Sequence, residues 1–254
     1  MNIVVPVKLV PDLVEELTID ETGAALDKTW LRLIINEFDD HAIEQAILLK
    51  ERYGGQITIV SPDVEGIDDL LFTAAAKGVD RLVKLLGDFE SGLNNHALAR
   101  ALIPVIQDIE PGLVLVGVQA HDDLDGSIGP LLAEYLNVPY TGYVTGVILD
   151  DGKVIIKKEY PGSLIAVMEV KLPAVLGIQA AEQPPRYVAI SKVRQMMKTA
   201  IIEEQEVGIL DLAGGPLVSS MYQPQISTRA SMLSDFPEEA SEQLVAIFKE
   251  LGMF

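Results

Sequence analysis

Leu113-Val114-Leu115-Val116-Gly117 runs directly into Val118-Gln119-Ala120-His121-Asp122-Asp123-Leu124-Asp125-Gly126-Ser127-Ile128-Gly129. Apolar residues without alternation read as a strand buried on both faces, and this one stops at a glycine. After the polar loop, Ile128, Leu131, Leu132, Tyr135 and Leu136 recur at i, i+3, i+4, i+7 and i+8, one face of a helix that begins near Gly126. Strand, loop and helix in that order are the unit of a mostly parallel sheet with helices on its faces. Unpaired N–H groups and the dipole at such a helix start favour a phosphate, and nucleotides bind at the carboxyl ends of strands in open α/β sheets. Gly126 and Gly129 let backbone approach a ligand, and Ser127 offers a hydroxyl. A plain capped helix start with no ligand is the competing reading, since every such junction has a capping position.

The same texture extends back to the amino terminus. Ile3 to Val7, Gln56 to Ser61 and Arg81 to Leu85 are the other strand candidates. One predicted helix is marked by Ile43, Ala46 and Ile47 and stopped by Gly54 and Gly55. Another, with Ile67, Leu70, Leu71, Ala74 and Ala75 on one face, stops at Gly78. A third spans about Leu93 to Ile109, where Pro104 removes a donor and is expected to kink the helix or shift its start. Beyond Pro139 the pattern changes to strands at Thr141 to Leu149, Val154 to Glu159 and Ser163 to Val170. Asp151-Gly152 and Pro161-Gly162 turn between them, giving an antiparallel extension. Leu172 to Ile178 is a further apolar run, and a short helix follows at about Ser191 to Met197. Val207 to Ser234 has no sustained period and reads as an extended arm. It closes in a helix with Asp235 as its cap and Leu244, Ile247, Phe248 and Leu251 on one side. The expected division is residues 1–200 as the α/β domain and 201–254 as the arm. Either the closing helix packs on its own domain or the arm reaches another subunit.

Composition excludes several classes. With 254 residues, 49% of them hydrophobic, the chain can bury a full core in one large domain with an appendage. A net charge of −19 repels a polyphosphate backbone, so nucleic acid is not an expected partner. There is no cysteine, hence no disulfide, thiolate chemistry or cysteine-bound cluster. No apolar run approaches the roughly 20 residues that span a bilayer. The amino terminus has no secretory pattern, so a soluble, unprocessed, cytoplasmic protein is expected, not an integral membrane one. Neither G-x-x-x-x-G-K-[ST] nor G-x-G-x-x-G after the first strand occurs, and there is no G-x-S-x-G.

Individual residues leave choices open. Asp122, Asp123 and Asp125 read as solvated, helix-capping acids or, less simply, as part of a hard-cation site. His41 and His121, beside acids near predicted helix starts, read as capping or exposed. Asn36 is expected to cap the helix that carries Ile43, while Phe38 is either core or the face presented to a flat cofactor.

Taken in order, these segments resemble the β subunit of electron-transfer flavoproteins. The carrying pieces are Val5-Pro6-Val7-Lys8-Leu9-Val10-Pro11-Asp12, Ile35-Asn36-Glu37-Phe38-Asp39 with Ala42-Ile43-Glu44-Gln45-Ala46, and Lys77-Gly78-Val79-Asp80-Arg81. The Gly117-to-Gly129 stretch, Glu169-Val170-Lys171-Leu172-Pro173-Ala174-Val175 and Pro185-Arg186-Tyr187 complete the set. The resemblance implies a Rossmann-like domain paired with an α subunit that holds most of a redox FAD, in a carrier with no catalytic residue of its own and no resident metal. It implies a second adenine nucleotide in the β subunit, AMP in ordinary members or a second FAD in bifurcating ones. Pro6, Asn36, Ser61, Pro62, Val118, Asp123, Gly126, Ser127 and Ile128 would surround that nucleotide. Phe38 and Leu13 would lie toward the flavin, and Arg186, Tyr187 and Ile190 would dock electron-donor dehydrogenases. An acceptor such as a quinone reductase completes the implied chain. Ile128 stands where ordinary members place a threonine, and Asp123-Leu124-Asp125 departs from the Asp-Gly-Asp-Thr of the bifurcating branch.

Two other classes compete with this reading. A stand-alone adenine-nucleotide sensor of stress-protein type would use the same strand-end site but has no need of the region past Tyr140. Metal-dependent hydrolysis would rest on the aspartate loop alone.

Overall fold

Residues 1–89, 93–123, 125–224, 230 and 232–253 are described by a computed structural model. Leu124 of the central loop, and residues 225–229 and 231 of the expected arm, lie outside the described residues.

The four parallel strands form where expected, displaced by a residue at most: β1 (Asn2–Pro6), β4 (Gln56–Pro62), β5 (Arg81–Leu86) and β6 (Leu113–Gly117). Between β1 and β4 lie a small antiparallel pair, β2 (Leu9–Pro11) and β3 (Leu33–Ile35), and then helix α1 (Glu37–Tyr53). The pair was not foreseen, because three-residue strands are too short to show a period. Helices α2 (Ile67–Lys77), α3 (Asn95–Ile109) and α4 (Ile128–Leu136) follow β4, β5 and β6 in turn. The strands are mostly apolar because both faces are covered, with Lys84 in β5 paired to Asp68. Ile3, Val5, Ile57, Ile59 and Leu115 pack under α1 and α2, while Val4, Val60, Val83, Val114 and Val116 pack under α3 and α4.

The rest of the sheet comes from β7 (Tyr140–Asp150), β8 (Lys153–Tyr160), β9 (Leu164–Lys171), β10 (Ala174–Ile178) and, after helix α5 (Ile190–Thr199), β11 (Ile202–Glu206). The complete order is β11-β5-β4-β1-β6-β10-β7-β8-β9. The antiparallel extension is present, but β7 is shared: it runs parallel to β10 and antiparallel to β8. The last apolar run therefore inserts as β10 between β6 and β7 and joins the extension to the parallel core. β11 adds a parallel edge beside β5, so the chain stays with the sheet through Glu206.

Two local expectations are corrected. Asn94, not Leu93, opens α3, its side chain accepting from Ala97 N at 2.9 Å, and Pro104 is held inside the helix without moving its start. The cap position of the closing helix α6 (Pro237–Glu250) is Phe236 instead of Asp235, with Pro237 at the first helical position, where its missing N–H costs nothing. Ser234 supplies the local polar contact, its Oγ accepting from Phe236 N at 3.2 Å. Of the two readings of the closing helix, neither is decided, but α6 buries none of its described side chains.

Leu115 is fully buried at the centre of β6. Leu115→Ala is expected to lower the unfolding free energy by about 2–5 kcal/mol, read from urea denaturation, because the transfer loss and the cavity add.

Candidate functional site

From β1 the chain moves through β4 to β5 on one side, then crosses to β6 on the other. The strands on either side of β1 and β6 thus wind in opposite directions, and the crevice at their carboxyl ends is the topological switch point where open α/β sheets receive ligands. Pro6, Lys8, Asn36, Asp39, Asn95, Gly117, Gln119, Ala120, Asp123 and Ile128 line it.

Asp39, in the first turn of α1, organises this crevice. Its Oδ2 accepts from Lys8 N at 3.0 Å and its Oδ1 from Gly117 N at 3.1 Å, tying the helix start to the ends of both β1 and β6. The approach is so close that a Cβ on residue 117 would lie 2.3 Å from Asp39 Oδ1, which is why only glycine fits. Burial pushes the Asp39 carboxyl up to about 7, against the pull of the Lys8 and Gly117 N–H groups and of the Lys8 charge. Asn36 occupies the cap position of α1 without capping it through its side chain. Instead Asn36 Nδ2 donates to Gln119 O at 3.0 Å, reaching across the crevice to the loop after β6.

At the other wall α4 starts with Ser127 at its cap position. Ser127 Oγ is buried and has no hydrogen-bond partner among the described residues. The Ile128 and Gly129 N–H groups are the first of the helix, where no intrahelical carbonyl is available to them, and Pro130 has none to offer. Gly126 precedes them at φ 58°, a left-handed conformation that glycine adopts without strain. The turn is held in place on one side by Tyr140, whose ring would lie 2.5 Å from a Cβ on Gly129. On the other side Asp125 accepts from Asn95 Nδ2 at 2.8 Å and from Ser127 N at 3.2 Å. Burial works against ionisation of Asp125, yet these hydrogen bonds prevail and hold its carboxyl below the usual range. An unsatisfied hydroxyl beside helix-start amides suits an anion.

Asp122 and Asp123 are not freely solvated. Lys8 Nζ bonds Asp122 Oδ1 at 2.7 Å and Asp123 Oδ1 at 2.6 Å, and the second carboxylate oxygen of Asp123 accepts from Ala120 N at 3.0 Å. Burial opposes the Lys8 charge, but these two carboxylates outweigh it and raise its pKa. His121, in the same loop, pairs its Nε2 with Pro11 O at 2.8 Å, and His41 Nδ1 accepts from Ala181 N at 3.2 Å, so neither histidine caps a helix. No group of three or more acids and histidines is arranged to hold a metal among the described residues.

Residues 27–209 match the family model described as electron transfer flavoprotein domain. The chain is 30% identical to the electron transfer flavoprotein subunit beta of Methylophilus methylotrophus, with 98% of each chain covered. The protein of the same name from Clostridium acetobutylicum is also 30% identical, and that from Bacillus subtilis 29%, each with 98% of both chains covered. This chain belongs to the electron-transfer flavoprotein β-subunit family.

Of the positions that the family resemblance marks for a nucleotide, the crevice brings together Pro6, Asn36, Asp123 and Ile128, with Gly126 and Ser127 in the turn at its wall. Val118 is buried just beyond β6, its N–H donating to Ile178 O at 3.0 Å. Ser61 is buried at the end of β4 with its hydroxyl turned onto Pro62 O at 3.3 Å, so neither lines this crevice. Phe38 is half-buried outside it, and Leu13 is exposed. At the positions that the resemblance marks for docking donors, Arg186 is already engaged. It forms a fork with buried Glu44 at 2.8 Å and a second bond to Glu51 at 2.6 Å, fixing the segment to α1. Tyr187 and Ile190 stand 85% and 63% exposed. Lys8, Asp39 and Asn95 were missed by sequence reasoning. No local signal sets Lys8 apart from any cation after a strand or Asp39 from the other first-turn acids of α1, and Asn95 belongs to a helix start that periodicity does not fix.

Asp39 predicts a pH slope. Its folded pKa, about 7, exceeds the unfolded value, 3.8, so between them the folded chain holds the extra proton. Stability contributed by this group is therefore full below about pH 4, falls as pH rises, and is flat above about 7. The loss amounts to a few kcal/mol at about 1.4 kcal/mol per unit. Urea midpoints from pH 5 to 8 are expected to show this fall, and Asp39→Asn to be less stable but without that slope.

Proposed function

We propose that this chain is the β half of a heterodimeric electron-transfer flavoprotein. In this reading it binds an adenine nucleotide in the crevice and, with an α subunit, carries electrons on a shared FAD from donor dehydrogenases to a quinone reductase or another acceptor. One observation supports it above the others: the arm is built for a partner. Ile209, Leu217 and Tyr222 are at least 80% exposed, and α6 leaves Leu244, Val245, Ile247 and Leu251 open to solvent. So much apolar surface at the end of a −19 chain is the signature of an interface. The sensor alternative leaves that surface without a purpose, and the family match favours a carrier subunit, not an enzyme in its own right.

The donor set of the crevice fits an adenylate at the start of α4. Ser127 Oγ and the Ile128 and Gly129 N–H groups would hold phosphate, with Pro6, Asn36 and Ile128 walling the base. The flavin supplies the redox chemistry when bound, and this chain's part is binding, orientation and exclusion of water. Whether the nucleotide is AMP or a second FAD separates an ordinary from a bifurcating member, and the count of AMP and FAD per purified heterodimer decides it. For docking donors, Tyr187 and Ile190 lead into α5, where Lys192, Arg194 and Lys198 make no ion pair among the described residues. A basic, apolar-tipped edge on an acidic protein suits an acidic partner surface. No helix of the described residues is long and apolar enough to cross a membrane.

Truncation after Gln223 keeps β11 and the stretch beyond it that Asn94 and Arg100 tie to the body, and is expected to leave the fold intact while abolishing assembly with the co-expressed α subunit, read by size-exclusion chromatography and retained flavin. Assembly by the truncated chain, or a full-length complex that carries no flavin, would reject the proposal. Ser127→Ala is expected to weaken AMP binding about tenfold, as loss of one bond to a charged group implies. Its melting temperature should hold, because Ser127 Oγ caps nothing.

A further inference from the structure

Pinned across the crevice is the loop Val118–Asp123, and the pins come from three different directions. Lys8 Nζ, just past β1, holds Asp122 and Asp123 at 2.7 and 2.6 Å. Asn36 at the start of α1 holds Gln119 O at 3.0 Å, and Pro11 O in β2 meets His121 Nε2 at 2.8 Å. The free space left beneath amounts to about 20 Å³. That is room for about one water molecule, where ligand pockets run to roughly 300–1,000 Å³. The donors for an adenylate are therefore present, while the room for it is not. Lys8 is the only charged tie among the three, and its side chain also lines the crevice.

We infer that the Lys8 bridge to Asp122 and Asp123 is a strap that shuts the nucleotide crevice, and that an adenylate enters by taking the bridge apart. The inference rests on the nucleotide reading given above. Opening the strap moves Asp122 and Asp123 away from the approaching phosphate and leaves the Lys8 ammonium as its counter-ion in their place. One cation thus serves the closed and the filled crevice in turn, and the two acids set how much ligand is needed to exchange them. Asn36 and His121, whose ties are uncharged, guide the loop back when the ligand leaves.

The test separates strap opening from simple charge repulsion by using an uncharged probe. Adenosine and AMP are titrated by calorimetry into the nucleotide-stripped full-length chain, the Asp122→Asn/Asp123→Asn double variant and Lys8→Met. Hydrogen–deuterium exchange is followed over the 118–123 peptide in each. The strap predicts that both variants bind adenosine about tenfold tighter than the parent, the scale of two half-buried ion pairs, and that the peptide exchanges faster in both. For AMP the double variant gains at least as much, whereas Lys8→Met gains less because the counter-ion is gone. Adenosine bound no more tightly by either variant, with AMP still bound by the parent, overturns the strap and leaves the nucleotide site standing. A gain confined to AMP in the double variant overturns it too, since repulsion alone explains that. Failure of every protein to bind either probe overturns the nucleotide reading itself.

Discussion

The carboxylate of Asp39, reaching Lys8 N and Gly117 N at once, is the constraint around which the crevice is arranged. Two parallel strands that end side by side leave unpaired N–H groups where their loops diverge, and burial makes such donors costly unless something accepts from them. One acid in the first turn of α1 meets both. In doing so it sets the height of the helix start over the strand ends and forces residue 117 to be glycine. It also delivers Asn36 and Lys8 to positions from which they hold the far loop. The acid itself bears the cost, since burial opposes its charge and leaves it titrating near neutrality.

Around this point the molecule divides its chemistry by location. The body buries its apolar surface in two layers, one on each face of the sheet, and spends its polar groups on tying loops together at the strand ends. The β8–β9 hairpin and the arm do the reverse, leaving Leu164, Ile165 and Val167 with Ile209 and Leu217 open to solvent. An acidic chain with an apolar periphery fits one half of a complex better than a solitary protein.

The charged pairs follow the same division. Arg186 is forked onto buried Glu44 and serves to fix the segment leading to α5, so its worth is geometric: it presents Tyr187 and Ile190 outward on a rigid base. Lys8 does a comparable task at the crevice with Asp122 and Asp123. In both places a cation acts by holding two distant segments in register.

What the sequence determined by itself was everything local or periodic. Short, mostly apolar runs named β1, β4, β5 and β6. Helical spacing named α2 and α4, and Asp151-Gly152 and Pro161-Gly162 marked the turns between β7, β8 and β9, because these signals live within a few residues of the chain. The ordered motifs also identified the family, and the Gly117-to-Gly129 stretch pointed to the crevice wall. Only tertiary structure decided that β10 slots between β6 and β7, that β11 closes the sheet edge, that α6 leaves its side chains unburied, and that Lys8, Asp39 and Asn95 belong to the site. Each of these depends on residues tens of positions apart meeting in space. The energy that selects such a meeting, a hydrogen bond to an orphaned N–H or an ion pair across a crevice, leaves no mark on the local pattern from which a sequence is read.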